Sequence, residues 1–352
     1  MSLTPIAAAE LIGRLAEFDT VIDARSEDEF ALDHLPGAVN WPTLNNTERI
    51  QIGTLYKQVN PFEARKRGAA LAARNIAAHI EREVIDQPKD WKPLAYCWRG
   101  GQRSGALSLI LSQIGFRVTL VEGGYKAFRS AMLQDVDRIV PSLRFQVVCG
   151  PTGSGKTRLL QALSSQGAQV LDLEALANHR SSVLGAIPGL AQPSQKHFDT
   201  LIWDALRFFD TARPVFVESE SKKVGNVSVP ASLVDAMRHS PCLNLQLSDT
   251  ERVALLIEDY DHLVRDVDFL CDRLAVLIPL RGRALVEGWM ALARSGQLPQ
   301  VVQDLLTQHY DPAYMASMLR NFVLFKEASS VAPADRSMGA MANLATQILL
   351  KP

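Results

Sequence analysis

One stretch constrains the fold of this chain more than any other, the segment Gly150-Pro151-Thr152-Gly153-Ser154-Gly155-Lys156-Thr157. It fits the pattern G-x-x-x-x-G-K-[ST], with a β-branched run (144–149) before it and a helical run (158–163) after it. In that order of strand, loop and helix, backbone amides and the helix N-terminus hold phosphate groups. We therefore predict a phosphate-binding loop (P-loop), in which Lys156 reaches the outer oxygens and Thr157 binds Mg²⁺ if a metal is used. The residues predicted to bind phosphate are Gly150, Gly153, Gly155, Lys156 and Thr157.

Two acidic residues are predicted at the ends of neighbouring strands. The strand-like run 168–174 ends in Asp172-Leu173-Glu174, and the run 214–218 ends in Glu218. Open α/β sheets bind ligands at the carboxyl ends of their strands. Asp172 and Glu218 are therefore candidates for contacting a metal-bound water or a substrate hydroxyl. A helix-capping role explains each acid about as well, and the sequence leaves both roles open.

A second site is predicted in the loop Tyr96-Cys97-Trp98-Arg99-Gly100-Gly101-Gln102-Arg103-Ser104, between an apolar run and a helical run. A helix N-terminus and nearby guanidinium groups stabilise a thiolate, which is the reactive form of cysteine. Paired glycines let backbone N–H groups turn inward around an anion. We predict that Cys97 is catalytic and that the anion is held by Arg99, Gly100, Gly101 and Arg103. The alternative is a strand-to-helix turn with an incidental buried cysteine.

Length, charge and cysteine spacing limit the organisation of the chain. A chain of 352 residues is too long for one ordinary core, so two domains are expected. The net charge of −1 gives no global basic field, so any contact with RNA must come from local patches. Four widely separated cysteines predict neither a disulfide framework nor a structural zinc site. No apolar run reaches about 18 residues, so we expect no membrane contact and a cytoplasmic location.

Helical runs alternate with short apolar runs along most of the chain, which predicts an α/β fold with mostly parallel sheets. We expect an α/β domain over residues 1–138, a linker at 139–143, a P-loop domain core at 144–250 and a mainly helical part at 251–352. Residues 6–18 are expected to form an amphipathic helix. Four polar residues early in the chain are expected to cap and pin loops rather than to catalyse, and these are Asp23, Arg25, Glu29 and His34.

The segment from Phe18 to about Arg129 resembles a rhodanese domain. The resemblance rests on Asp23-Ala24-Arg25 with Glu29-Phe30, His34-Leu35-Pro36-Gly37-Ala38, the Cys97 loop and Glu122-Gly123-Gly124-Tyr125-Lys126-Ala127-Phe128. Arg103 lies six residues after Cys97, one more than in many rhodaneses. This longer loop resembles that of phosphatases built on the same fold, whose wider nest holds a tetrahedral oxyanion. The comparison favours a phosphate-bearing ligand over thiosulfate.

The rhodanese-like loop followed by a P-loop resembles the tRNA 2-selenouridine synthase family. Further segments that fit are Asp172-Leu173-Glu174, Asn178-His179-Arg180, Gln192-Pro193-Ser194-Gln195 and Val217-Glu218-Ser219-Glu220-Ser221. The run Ser181-Ser182-Val183-Leu184-Gly185 departs from the family, in which this region is richer in glycine.

The resemblance implies replacement of sulfur by selenium in 2-thiouridine at the wobble position of tRNA. It implies selenophosphate as the donor and an S-geranyl-2-thiouridine intermediate made from geranyl diphosphate. In that chemistry Cys97 carries or delivers selenium, and Arg99 and Arg103 hold the phosphate of selenophosphate. The P-loop holds the diphosphate of the prenyl donor or of a nucleotide.

Two other functions remain open at this point. One is a Cys-dependent phosphatase or sulfurtransferase, using Cys97 and Arg103, fused to a kinase-like P-loop domain. The other is a nucleotide-gated binding protein in which Cys97 is inert. RNA that co-purifies with the protein favours the transferase over both, and hydrolysis of an aryl phosphate that is lost in Cys97→Ser favours the phosphatase.

Overall fold

The computed structural model describes residues 2–182, 185–261 and 265–350. Val183 and Leu184, in the run that departs from the family pattern, lie outside the described residues. The chain divides into two compact units. The first comprises Met1–Arg138 and Pro193–Asp204, and the second comprises Ile139–Gln192 and Ala205–Pro352. Each unit is built on a parallel five-stranded sheet, which confirms the predicted α/β class.

The sheet of the first unit has the strand order β1-β5-β4-β2-β3, with every pairing parallel. Its strands are β1 (Ser2–Ile6), β2 (Thr20–Asp23), β3 (Ala38–Asn40), β4 (Pro93–Tyr96) and β5 (Arg117–Val121). The helices are α1 (Ala8–Leu11), α2 (Glu27–Leu32), α3 (Asn46–Gln58), α4 (Pro61–Glu83), α5 (Gln102–Ile114) and α6 (Gly124–Ile139). All four residues of β4 are buried, because this strand lies inside the sheet and leads into the Cys97 loop.

The prediction of an amphipathic helix over residues 6–18 is wrong. The chain instead begins with β1, which pairs in parallel with β5 along the edge of the sheet. Only the short helix α1 and a 3₁₀ turn at Leu15–Glu17 follow it. The backbone hydrogen bonds between β1 and β5 outweigh the local helical pattern. The buried side chain of Ile6 adds to the stability of this pairing.

The sheet of the second unit has the strand order β12-β11-β6-β8-β7, also parallel throughout. Its strands are β6 (Arg144–Cys149), β7 (Gln169–Leu171), β8 (Pro214–Glu218), β11 (Cys242–Leu245) and β12 (Ser329–Val331). A separate two-stranded ribbon is formed by β9 (Lys223–Val224) and β10 (Val227–Ser228). The strand β12 was not predicted, because its three residues interrupt a long helical region and pair with β11 only through the fold.

The remaining helices include most of the C-terminal part, as predicted. They are α7 (Lys156–Ser165), α8 (Leu173–Ala177), α9 (Gln195–Leu206), α10 (Ala231–Arg238), α11 (Asp249–Asp259), α12 (Val267–Ala275), α13 (Ile278–Arg281), α14 (Arg283–Arg294), α15 (Leu298–Leu305), α16 (Asp311–Asn321) and α17 (Met338–Leu349). A π-helical turn at Leu306–Tyr310 joins α15 to α16. Among the described helices, none combines the length and the apolarity needed to cross a bilayer.

Candidate functional site

Cys97 lies directly after β4, at the carboxyl end of a central strand of the first sheet. Its residue surface is 2% exposed, and its thiol Sγ lies 3.9 Å from the carbonyl oxygen of Arg99. Gly100 and Gly101 both adopt left-handed backbone conformations, with φ of +68° and +69°. Gly101 is the N-cap of α5, so the loop turns its amides toward a helix N-terminus. This backbone conformation is compatible with the predicted anion-binding nest beside the thiol.

A second glycine pair fixes the position of the Cys97 loop. The backbone N–H of Tyr125 donates to the carbonyl of Cys97 at 2.8 Å, and that of Lys126 donates to the carbonyl of Trp98 at 3.1 Å. Gly124 has a φ of +57°, and a Cβ at this position would overlap the Cys97 carbonyl. The start of α6 therefore supports the loop at a distance that only glycine permits.

The two arginines of the loop have different environments. Arg103 lies in the first turn of α5, and its guanidinium donates to the carboxylate of Glu29 at 2.6 and 3.3 Å. Arg99 is exposed at the surface. Burial raises the pKa of Glu29, but hydrogen bonds and charge from Arg103 outweigh it and hold that pKa below its usual value. Glu29 thus orients Arg103 through a charge-assisted pair.

The early polar residues stabilise the loops around this nest, as expected. Asp23 and Arg25 form a buried ion pair at 2.6 Å, and Arg25 also donates to the carbonyl of Asp33. Glu29 forms a capping box with Ser26 at the start of α2. These contacts hold in place the ends of β2 and α2, from which Glu29 reaches Arg103.

Sequence reasoning missed the contribution of residues 193–204 to the first unit. In α9, the ammonium of Lys196 lies 5.6 Å from the centre of the Trp98 ring, next to Cys97 in sequence. The buried carboxylate of Asp33 accepts hydrogen bonds from Tyr125 at 2.6 Å and from Thr200 at 3.1 Å. The segment Gln192-Pro193-Ser194-Gln195 was noted only as a family feature, and no local pattern signals that the chain here returns to the first unit.

The P-loop lies between β6 and α7, as its sequence pattern predicts. Lys156 Nζ donates to the carbonyl of Gly150 at 2.8 Å, and Gly155 is the N-cap of α7. The backbone N–H of Gly150 donates to the hydroxyl of Tyr314 at 2.6 Å. A cavity opens over this loop, and the predicted phosphate-binding residues that line it are Gly153, Gly155, Lys156 and Thr157. The same wall includes Arg180, Ser219 and Glu220, which the sequence singled out only as parts of family segments. It also includes Arg158, Ser181 and Tyr314, which sequence reasoning did not assign to a site.

Four carboxylates lie at the strand ends beside the P-loop. Asp172 accepts from the backbone N–H of Ala175 at 2.8 Å and so caps α8, which is the alternative role considered for it. Glu218 is 2% exposed, and its Oε1 accepts from the N–H of Glu174 at 2.9 Å. Its Oε2 is buried and has no hydrogen-bond partner among the described residues. Glu220 accepts from the hydroxyl of Ser181.

The pKa values of these acids are all raised. Burial and the neighbouring charge of Glu220 raise the pKa of Glu174 to about 7. Burial and the charge of Asp172 raise the pKa of Glu218 well above its usual value. The hydroxyl of Thr157 donates to Glu174 Oε2 at 3.3 Å, so this cluster reaches the P-loop. Within the part of the chain that the structure describes, no group of three or more acidic, His or Cys side chains is arranged to hold a metal by itself.

A buried thiol at a strand end of one α/β unit and a P-loop on another define a two-domain protein of the rhodanese and P-loop classes. Comparison with known families agrees with this description. The rhodanese-like domain model matches residues 7–131, and the model described as the tRNA 2-selenouridine synthase AAA domain matches residues 143–268.

Several relatives carry the same name, tRNA 2-selenouridine synthase. The protein of Alcanivorax borkumensis is 32% identical over 87% of this chain and 92% of its own length. That of Shewanella denitrificans is 30% identical over 91% of this chain and 95% of its own length. That of Nitrosomonas europaea is 36% identical over 68% of this chain, and the match spans 63% of that relative. The chain belongs to the tRNA 2-selenouridine synthase family.

Proposed function

We propose that the chain is a transferase that replaces sulfur by selenium in the wobble 2-thiouridine of tRNA. In this proposal selenophosphate is the selenium donor, and geranyl diphosphate supplies an S-geranyl-2-thiouridine intermediate. The observation that supports it most is that one member of this family holds both a buried thiol, in a loop with two left-handed glycines, and a P-loop. A cytoplasmic location follows from a tRNA substrate.

The thiol site delivers selenium by acting on phosphorus. The Cys97 thiolate attacks the phosphorus of selenophosphate, the phosphorus–selenium bond breaks, and hydroselenide leaves with the bonding electron pair. Water then cleaves the sulfur–phosphorus bond and restores the thiol with release of phosphate. The amides of Gly100 and Gly101, with Arg103, hold the phosphate oxygens during both steps. The loop length supports this assignment because it suits a tetrahedral phosphate.

The P-loop site activates the tRNA sulfur. The sulfur of 2-thiouridine attacks C1 of geranyl diphosphate, the carbon–oxygen bond breaks, and diphosphate leaves while the N3 proton passes to solvent. Hydroselenide then adds at C2 of the uridine, geranylthiolate leaves, and the selenium proton moves to N3. Lys156 and the loop amides hold the departing diphosphate.

The P-loop surroundings fit a Mg²⁺ ion. The hydroxyl of Thr157 and the carboxylate of Glu174 are 3.3 Å apart, and Glu218 Oε2 is buried with no hydrogen-bond partner among the described residues. Such a site uses one or two protein oxygens and keeps several waters. When bound, the ion neutralises negative charge on the diphosphate.

The thiol assignment is tested with pure protein, selenophosphate, geranyl diphosphate and 2-thiouridine tRNA, followed by nucleoside mass spectrometry. We expect Cys97→Ala to accumulate S-geranyl-2-thiouridine and to form no 2-selenouridine, because it lacks only the selenium-delivering thiol. Binding of tRNA is expected to stay within about twofold, and Cys271→Ala, a change of another buried cysteine, is the control. Wild-type protein that forms neither product contradicts the proposed function.

The P-loop assignment is tested in the same reaction without selenophosphate. We expect Lys156→Ala to slow geranylation by about 100-fold, since the ammonium no longer neutralises the leaving diphosphate. Lys222→Ala, a change of an exposed lysine, is the matched control. Geranylation at the wild-type rate in Lys156→Ala would remove the P-loop from this step.

A phosphatase fused to a kinase-like domain is the second candidate, favoured by the same phosphate-sized loop. Its signature is hydrolysis of an aryl phosphate that is lost in Cys97→Ser. The transferase reading predicts no turnover of an aryl phosphate on the time scale of selenium transfer, so the two candidates separate in one assay.

A further inference from the structure

An apolar cavity adjoins the P-loop cavity within the second unit. It is lined by Thr152, Ser182, two tyrosines and eight aliphatic side chains. Together with the open space at its mouth, the cavity encloses about 620 Å³. Its walls come from α11, α12, α15 and the π-helical turn after α15. None of the reaction steps in the proposed function uses this cavity.

Aliphatic side chains form the inner wall of the cavity. Val301 and Leu305 on α15 and Leu270 on α12 are almost fully buried, whereas Leu256 and Val302 are half-buried and face free space. A nucleotide base or a ribose needs polar partners when it is buried, because unpaired polar groups are costly away from water. An aliphatic wall offers none, so this lining selects a hydrocarbon group.

The apolar cavity and the P-loop cavity share part of their walls. The five residues that line both are Thr152, Ser182, Leu256, Tyr260 and Tyr310. Thr152 belongs to the P-loop itself, and the hydroxyls of Ser182 and Tyr260 lie 3.5 Å apart. Polar groups therefore lie at the junction and apolar groups beyond it. A single ligand that fills both cavities has an anionic phosphate head and a hydrocarbon tail.

We propose that this apolar cavity binds the hydrocarbon chain of a prenyl diphosphate whose diphosphate lies on the P-loop, and that Val302 limits the chain length. The inference rests on the proposed function, because it takes the P-loop as the site of the prenyl donor. It adds the residues that distinguish a prenyl diphosphate from a nucleotide or from free diphosphate. Each further methylene that the cavity buries strengthens binding about fourfold.

The test is calorimetric titration of the full chain with geranyl diphosphate, farnesyl diphosphate and inorganic diphosphate. We expect wild-type protein to bind geranyl diphosphate at least about 100-fold more tightly than inorganic diphosphate. Val302→Trp fills the cavity, and it is expected to weaken geranyl diphosphate binding by about 30-fold or more while inorganic diphosphate changes less than about twofold. Val276→Trp, at a half-exposed valine outside the cavity lining, is the matched control and is expected to bind both as wild type does.

A second variant keeps the test decisive if the tryptophan disturbs folding. Val302→Ala enlarges the cavity and is expected to shift the preference from the geranyl toward the farnesyl donor by about tenfold. Equal affinity of wild type for geranyl and inorganic diphosphate overturns the inference, as does an unchanged chain preference in Val302→Ala.

Geranylation of tRNA by both wild type and Val302→Trp at equal rates overturns the cavity assignment and leaves the proposed function intact. If the protein binds geranyl diphosphate more tightly than inorganic diphosphate but never modifies tRNA, the cavity assignment stands and the proposed function fails.

Discussion

At the scale of single residues, the strand ends of the second unit carry a cluster of buried and half-buried carboxylates. Asp172, Glu174, Glu218 and Glu220 follow strands β7 and β8, and burial raises the pKa of each. The sequence predicted Asp172 and Glu218 because acids at strand ends are visible in one dimension. Glu174 and Glu220 stand in the same two strand-end segments. Their contacts with Thr157 and Ser181 were not predicted, because these depend on how α8 and the loop after β8 fold back.

The raised pKa of Glu174 predicts a pH dependence of stability. Its folded-state pKa is about 7 against an ordinary value of 4.5, so the folded protein holds a proton that the unfolded chain releases between those pH values. The contribution of Glu174 to the free energy of unfolding is therefore greatest below about pH 4.5. It is lost as the pH rises through 7, and this loss amounts to at most about 3 kcal/mol. We expect Glu174→Gln to flatten this fall, as measured by urea unfolding between pH 5 and pH 8.

Glu251→Gln is the control, and it is expected to leave the fall between pH 5 and pH 8 unchanged. The backbone amide and guanidinium of Arg336 hold the pKa of Glu251 below its usual value, so its contribution is lost at low pH rather than at high pH. An identical pH profile for wild type and Glu174→Gln would contradict the assignment of a proton to Glu174.

At the scale of elements, the first turn of α6 positions the Cys97 loop. The sequence predicted the loop itself, because a cysteine, two glycines and two arginines coincide at a strand end. It did not predict that α6 would donate two backbone N–H groups to the loop carbonyls, since residues 97 and 124 are distant in sequence. The strand β1 escaped prediction for the same reason, because its pairing with β5 exists only in the folded sheet.

This support predicts a specific defect in Gly124→Ala. The added Cβ overlaps the Cys97 carbonyl, and the φ of +57° disfavours alanine, so the loop must move away from α6. We expect selenium transfer to fall by about tenfold or more while geranylation of tRNA continues at the wild-type rate. Nucleoside mass spectrometry of both products measures the two steps. Gly13→Ala, where a Cβ meets nothing within 4 Å, is the matched control, and equal selenium transfer in both variants would contradict the prediction.

At the scale of the whole molecule, the two units are not two consecutive segments of the sequence. Residues 193–204 follow the P-loop in sequence, yet they group with the first unit. Their ties include the buried Trp203, whose indole N–H donates to Asp135 at 2.9 Å and whose ring packs edge-on against Phe128 at 5.5 Å. A helix such as α9 carries in its own sequence no information about which sheet it covers.

Trp203→Ala tests this organisation. Replacing a buried tryptophan by alanine lowers the free energy of unfolding by about 3–5 kcal/mol, and here we expect the destabilisation in the first unit. We expect amide hydrogen exchange to accelerate in α6, measured by mass spectrometry on peptides from residues 124–138. Phe208→Ala, a change of an exposed aromatic residue in the second unit, is the control and is expected to leave α6 unchanged. Unaltered exchange of α6 in Trp203→Ala would count against the grouping.

The return of residues 193–204 to the first unit has a consequence for biosynthesis. The ribosome releases the chain from its N-terminus, so the contacts that α9 makes with Asp33, Asp135 and Phe128 are missing from the Cys97 unit until residue 204 has emerged. By then the P-loop and the first strands of the second sheet are already outside the ribosome. Folding of the second unit can therefore begin before the first unit is complete, whereas β12 and α17 of the second unit emerge only later. A stop between residues 138 and 193 yields a first unit that lacks α9.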